Sequence, residues 1–206
     1  MGKIRILIAD DHAMVRMGLV SLLGTVPDFE VSGEAENGVE AVRLVTQLKP
    51  DIVLMDLMMP LKDGVEATEE ICTTGNVTKV ILLTSVGSSD AIARGLRAGA
   101  SGALLKTSDF SSLVSTIKSV AAGKTVVSPE IRRLLNEDPP LTELSARQTE
   151  ILHSIVRGLY DKDIANQLGI SIYTVKEHIN ALFAKIGATN RAEAVAIALR
   201  KHLLKV

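Results

Sequence analysis

The sequence predicts a two-domain protein: a doubly wound parallel α/β sheet of five strands in residues 1–122, then a small all-α domain of four helices in residues 142–206. Three observations carry that division. Up to Leu105 short apolar runs alternate with amphipathic helical patterns, whereas from Leu141 onward only helical periodicity remains. Between the halves lies a connector, residues 123–141, containing Asn136-Glu-Asp-Pro-Pro140, a polar, proline-stopped stretch suited to a joint. With 206 residues and 47% apolar content, the chain is long enough for two cores.

The strands and helices follow in order. Ile4–Ala9 is an apolar strand, and the helix after it has its apolar stripe at Val15, Leu19, Leu22 and Leu23. Glu30–Ala35 precedes a helix over roughly 38–48, which Lys49-Pro50 closes. Ile52-Val-Leu-Met55 is apolar throughout, as a strand covered on both faces must be, and a helix starts after Gly64. Lys79–Leu83 precedes a helix over roughly 88–98, and Gly102–Leu105 one over roughly 109–122. Five β-α units with short connections fit a flavodoxin-like strand order of 2-1-3-4-5. In the connector, Ser128-Pro129-Glu130 is a good helix start, with Ser as N-cap and Pro in the first turn, and a short helix to Leu135 follows.

Composition narrows the class. Net charge is −1, but residues 142–206 carry nine Lys/Arg against six Asp/Glu, while residues 1–141 carry 14 against 18. A mildly basic C-terminal piece permits nucleic-acid contact there. No apolar run approaches the ~18 residues of a membrane span, and Ile4 begins a strand with no signal-peptide pattern before it. Cys72 is the sole cysteine, so no internal disulfide forms. A cytoplasmic protein without membrane contact is expected.

The chemistry lies at the strand ends. The first strand runs into Asp10-Asp11, the third into Asp56, the fourth into Thr84-Ser85 and the fifth into Lys106. Alone, Asp56 reads more readily as a turn former. In a 2-1-3-4-5 sheet, however, strands 1, 3, 4 and 5 are consecutive, so these side chains converge on one rim. Crowded carboxylates repel one another unless a cation sits among them, and an all-oxygen donor set suits Mg²⁺. A lysine and a hydroxyl beside them add positive charge and a hydrogen bond for an anion. That is the equipment for phosphoryl transfer onto a carboxylate.

Asp10-Asp11, Asp56, Met59-Pro60 with Asp63-Gly64, Thr84 and Lys106 resemble the signature of a two-component receiver domain, over residues 3 to about 122. The resemblance implies that Asp56 accepts a phosphoryl group from a sensor histidine kinase. It also implies that Asp11 and Asp56 hold Mg²⁺, with Asp10 assisting and the backbone carbonyl of Met58 as a further ligand. Lys106 then pairs with the phosphoryl oxygens, and Thr84 is the hydroxyl that swings toward them. Two departures matter. Receivers usually carry an aromatic switch residue three before the lysine, where this chain has Ala103. Met58 and Val86, two after Asp56 and two after Thr84, are apolar and flank the path of a hydrolytic water, which predicts slow self-dephosphorylation.

In the C-terminal half, Ser145 caps a helix that ends at Gly158 and Asp161 a shorter one that ends at Gly169. Ser171 caps a third helix with Ile172, Val175, Ile179, Leu182, Phe183 and Ile186 on one face, and Asn190 with Glu193 starts a fourth. The turn Gly169-Ile170-Ser171 makes the second and third a helix-turn-helix, the third being the recognition helix. Its outward residues are Tyr173, Lys176, Glu177 and Asn180, with groove-reading chemistry: Lys to guanine, Glu to cytosine, Asn to adenine. Lys185 and Arg191 lie at its far end, suited to phosphates. The same face fits an ordinary solvated helix.

The run Gly158–Ala165, Leu168–Ser171, Thr174-Val-Lys-Glu-His178, Lys185-Ile-Gly187 and Asn190–Ala194 resembles the LuxR-type DNA-binding domain, over about 143–204. With the receiver, the whole chain is similar to NarL/FixJ-family response regulators. The resemblance implies DNA contact through Thr174, Lys176, Glu177, Asn180, Lys185 and Arg191. It also implies homodimerisation through the last helix, where Val195 and Leu199 are candidates that core packing explains equally well. Ala146 stands after the first cap where an acidic residue is usual, which puts the local capping contacts in question. The expected function is therefore non-enzymatic: phosphorylation of Asp56 promotes a dimer that binds a double-stranded DNA operator and regulates transcription. A hydrolase of the haloacid-dehalogenase kind needs an Asp two after its nucleophile, where this chain has Met58. A flavin module needs phosphate donors where Asp10-Asp11 stand. A constitutive DNA binder whose receiver only dimerises stays open because of Ala103.

Overall fold

The computed structural model describes residues 2–73, 75, 77–85, 89–140, 144–201 and 203–204; Val86 and the first two positions of the expected C-terminal domain, 142 and 143, lie outside them. Two compact units part between Asp138 and Pro139.

The first unit is a parallel sheet in the order β2-β1-β3-β4-β5-β6. Its strands are β1 (Ile4–Ala9), β2 (Phe29–Ala35), β3 (Ile52–Asp56), β4 (Lys79–Thr84), β5 (Gly102–Leu105) and β6 (Val126–Val127). The helices between them are α1 (Ala13–Leu23), α2 (Gly38–Leu48), α3 (Gly64–Thr73), α4 (Ser89–Arg97) and α5 (Phe110–Ala121). Strand side chains alternate between the two faces. Leu7, Val53, Met55, Val80, Leu82 and Ala103 face one side, packing with Ala41, Val45, Ala67, Ile71 and Ile92 of α2, α3 and α4. Ile6, Ile8, Ile52, Leu54, Ile81 and Leu104 face the other, packing with Leu23 of α1 and Leu113, Ile117 and Val120 of α5. The central strands are apolar over Ile6–Ala9, Ile52–Met55 and Val80–Leu83 because both faces are covered there.

Among the described residues the sheet has six strands, one more than expected. Residues expected to form a connector with a short helix supply β6, whose Val126 and Val127 pair with Gly102 and Ala103. They also supply α6 (Pro129–Glu137), capped by the Ser128 hydroxyl on the Ile131 N–H at 3.3 Å. Ile131 is fully buried against the α2–α4 face, with Leu134 and Leu135 beside it. A two-residue strand carries too little periodicity to be read from sequence. A second difference is in α1: Leu22 is half exposed, and Arg16 occupies an inward position with Leu23.

The second unit holds α7 (Ala146–Val156), α8 (Asp161–Leu168), α9 (Ile172–Ile186) and α10 (Arg191–Arg200). Its core is Ile151, Leu152, Ile155, Ile164, Val175, Leu182, Ile186 and Ile197. The cap of α7 is complete despite Ala146: Ser145 accepts from the Gln148 N–H, and Gln148 accepts from the Ser145 N–H. Tyr160, one residue earlier than expected, holds the N-cap position of α8, and its N–H donates to Asp163 at 3.2 Å. Gly169, with φ +64°, ends α8 in the left-handed conformation that turns the chain into α9. No described helix is long and apolar enough to cross a membrane.

Candidate functional site

The strand order makes β1, β3, β4 and β5 neighbours, so the residues at their C-terminal ends meet at one rim. Asp10 and Asp56 are buried there, at 1% and 3% exposure, and Lys106 bridges them. Its Nζ lies 2.7 Å from Asp10 Oδ2 and 2.9 Å from Asp56 Oδ2. The Lys106 N–H donates to the Thr84 carbonyl at 2.7 Å, which ties the end of β5 to that of β4. Thr84 is buried, and its hydroxyl donates to the Ser85 carbonyl at 2.9 Å.

Asp11 sits at the mouth, one-third exposed. His12 Nδ1 lies 2.7 Å from Asp11 Oδ1 and 3.3 Å from Asp10 Oδ1, and the His12 N–H donates to Asp10 Oδ1 at 2.9 Å. One ligand atom from each of Asp10, Asp11, His12 and Asp56 lies within 4.8 Å of the others. A single cation can reach such a group.

The loop after β3 is folded tightly under Asp56. The Gly64 N–H donates to the Leu57 carbonyl at 3.0 Å, and a Cβ at Gly64 would lie 2.0 Å from the Asp56 carbonyl oxygen. Only glycine permits that approach. Met58 in this loop is half exposed, and its backbone N–H pulls the Asp56 pKa down slightly.

The electrostatics follow from burial. Loss of solvent pushes the Asp56 carboxyl above its ordinary range, Lys106 pulls it down without cancelling the rise, and the Asp10 charge adds to it. Burial works against the Lys106 ammonium, but its bonds to Asp10 and Asp56 outweigh that, and its pKa is raised. The pocket holds a firmly charged lysine beside an Asp56 carboxyl that resists charging.

On α9, Lys176, Glu177 and Asn180 are exposed on one side, as is Tyr173. Thr174 is half-buried, its hydroxyl 2.9 Å from Ser171 Oγ at the start of the helix. Lys185 and Arg191 are less free than expected. Lys185 Nζ donates to Gln148 Oε1 at 3.2 Å, while Arg191 pairs with Asp161 at 3.1 Å and bonds the Leu159 carbonyl. In α10, Val195 packs half-buried against the core and Leu199 is half exposed.

The sequence reading missed His12 and Arg16 at the pocket. Adjacency to Asp10-Asp11 was a signal for His12. For Arg16 the signal was its place seven residues before Leu23, on the same inward face of α1.

The family model "Response regulator receiver domain" matches residues 6–118, and "Bacterial regulatory proteins, luxR family" matches residues 142–198. The chain is 40% identical to the transcriptional regulatory protein LiaR of Bacillus subtilis, covering 98% of this chain and 99% of that one. It resembles the crystal structure of ChrA, the response regulator of a heme-sensing two-component system. The TM-score is 0.61, with 33% identity over 99% of this chain and 100% of that one. It also shares its fold with the response regulator RcsB in complex with DNA. That match has a TM-score of 0.69 and 23% identity over 97% of this chain and 99% of that one.

Proposed function

The chain belongs to the two-component response regulators that join a receiver domain to a LuxR-type helix-turn-helix domain, and from that premise we propose that phosphorylation of Asp56 by a sensor histidine kinase controls its dimerisation and its sequence-specific binding to a DNA operator. In this reading residues 1–122, completed by β6 and α6, are the phosphoacceptor domain and 142–206 the DNA-binding domain, and the protein works in the cytoplasm. The observation that carries it is the Lys106 ammonium held between buried Asp10 and Asp56 at the C-terminal rim of the sheet.

Phosphoryl transfer then runs as follows. An Asp56 carboxylate oxygen attacks the phosphorus of the kinase phosphohistidine. The P–N bond breaks, a P–O bond to Asp56 forms, and the imidazole nitrogen departs with the electron pair and takes up a proton. Lys106, already beside Asp56 and charged, pairs with the incoming phosphoryl oxygens. Thr84 turns its hydroxyl from Ser85 toward the same oxygens. The oxygen-rich donor set fits Mg²⁺, which Asp10, Asp11, Asp56 and the Met58 carbonyl would hold. When bound, the ion neutralises the crowded carboxylates and the charge on the phosphoryl group. The half-exposed Met58 side chain offers no group to orient an attacking water, so the acyl phosphate is long-lived.

Output is through α9. Lys176, Glu177 and Asn180 read base edges in the major groove, with Thr174 at the entry of the helix and Lys185 and Arg191 near phosphates. Leu199, with Val195 beneath it, pairs two copies so that their recognition helices meet half-sites about 34 Å apart. The phosphoryl group shifts this balance by its different affinity for the two states.

Incubation with acetyl phosphate and Mg²⁺, followed by intact mass and solution molecular weight, tests the reading, with Asp56→Ala as control. One added phosphate together with dimerisation supports it. Phosphate without a change in assembly moves the switch to domain release, and no phosphate favours a constitutive DNA binder.

A further inference from the structure

Arg16 is a charged residue in the place of a core residue. It lies on the inward face of α1 with Leu23 and is 8% exposed. Nothing in the packing of α1 calls for a guanidinium there, since a buried ion pair is no more stabilising than a well-packed apolar side chain of similar volume. Its partners suggest another role. Nη1 donates to the Asp10 backbone carbonyl at 2.8 Å, Nη2 meets Glu36 Oε1 at 2.8 Å, and Nε lies 3.5 Å from Glu34 Oε2.

The Asp10 carbonyl belongs to the peptide that joins Asp10 to Asp11. On the other side of Asp10, its N–H donates to the Ala35 carbonyl at 3.1 Å, which fixes the end of β1 against β2. Beyond that point the strand ladder ends, and the carbonyl faces Arg16. The Asp10 side chain is held independently, by Lys106 and by the His12 N–H. Among the described residues Asp11 has no comparable anchor: its one-third-exposed carboxylate meets the more exposed imidazole of His12. Its direction is therefore set by the backbone plane before it, and Arg16 is the side chain that holds that plane. Glu36 anchors the far side of the guanidinium, and the charges of Glu34 and Glu36 offset its own.

We infer that Arg16 is a positioning residue that orients the Asp10–Asp11 peptide and so aims the Asp11 carboxylate at the cation. The inference rests on the reading of the pocket as a Mg²⁺-dependent phosphoacceptor site. Removing a group that orients a metal ligand lowers affinity by about tenfold or more. Arg16→Met is accordingly expected to raise the Mg²⁺ concentration that half-saturates labelling by acetyl phosphate about tenfold, with the rate at saturating Mg²⁺ within about twofold of wild type. Arg16→Lys, which keeps the charge but loses the fork, falls in between.

The decisive comparison places Arg16→Met in an Asp11→Asn background. If Arg16 acts through Asp11, the second substitution adds little to the first. Full additivity, or a lowered melting temperature in Mg²⁺-free buffer with an unchanged half-saturating Mg²⁺, makes Arg16 a structural brace and overturns the inference. Should Arg16→Met not fold, Glu36→Ala, at a largely exposed position, loosens the clamp from outside. A severalfold rise in half-saturating Mg²⁺ supports the clamp, and no rise overturns it. Wild-type protein that takes no phosphate at any Mg²⁺ concentration removes the parent reading and the clamp together. Wild type that is labelled while the variants match it removes the clamp alone.

Discussion

At the scale of single residues, the pocket is costly by design. A carboxyl whose pKa is raised in the fold binds more protons folded than unfolded. Its contribution to stability therefore falls as pH rises from the ordinary value of 3.8 through the raised one. At neutral pH and without divalent cation, Asp56 is on the unfavourable side of that change. Asp56→Asn is thus expected to melt a few degrees higher than wild type in Mg²⁺-free buffer at pH 7, and the gap should close as Mg²⁺ is added. An unchanged or lower melting temperature contradicts this. Met58 governs a different quantity. Met58→Asn places a group able to orient water beside the acyl phosphate, so the half-life of phosphorylated Asp56 should shorten severalfold, measured by intact mass after removal of acetyl phosphate. The residues of this pocket were legible because each terminates an apolar strand, and the strand order alone brings them together. Arg16 was not: its spacing from Leu23 marks an inward position, but nothing in the pattern points to the carbonyl six residues back that it reaches.

At the scale of elements, the helices read over 38–48, 88–98, 109–122 and from Pro129 to Leu135 fall within two residues of α2, α4, α5 and α6. Asn37, Asp109, Ser128, Ser145, Ser171 and Asn190 each accept a backbone N–H at a helix start. The element the pattern could not deliver is β6, whose two residues are a strand only because Gly102 and Ala103 lie beside them. Ala103 gains a consequence from this: the small side chain at that position is fully buried and its carbonyl accepts the Ser128 N–H at 3.0 Å. The helix that follows belongs energetically to the first unit. Ile131→Ala should cost about 2–5 kcal/mol, read as a loss in the unfolding transition of the unit that contains the sheet. A cost below about 0.5 kcal/mol, usual for a surface change, would show α6 to be loosely attached.

For the whole molecule, the proposal separates an input residue from an output residue. Leu199→Asp puts a charge on the half-exposed position of α10 and should leave labelling of Asp56 by acetyl phosphate at wild-type rate. It should abolish the dimer and weaken binding to a two-half-site operator far more than to a single half-site. Equal weakening on both would assign Leu199 to the core of its own unit. Lys185 and Arg191 show why candidate DNA contacts are harder to read than the pocket. Sequence gives their charge and their place at the end of α9, but their bonds to Gln148, Asp161 and the Leu159 carbonyl depend on how four helices pack.

The pairing of β6 with β5 also says where such a protein can be cut and rejoined. Output modules exchanged among chains of this kind, by recombination in nature or by gene fusion in the laboratory, need a junction that leaves both pieces whole. A junction at Gly123, where the five β-α units end, would strip off β6 and α6 and leave β5 as a bare edge open to pairing with other chains. A junction at Asp138-Pro139 leaves the strand and its helix with the sheet they complete. Chimeras joined there should stay soluble and accept phosphate, and those joined at Gly123 should aggregate. The heritable module is longer than its five-strand pattern suggests.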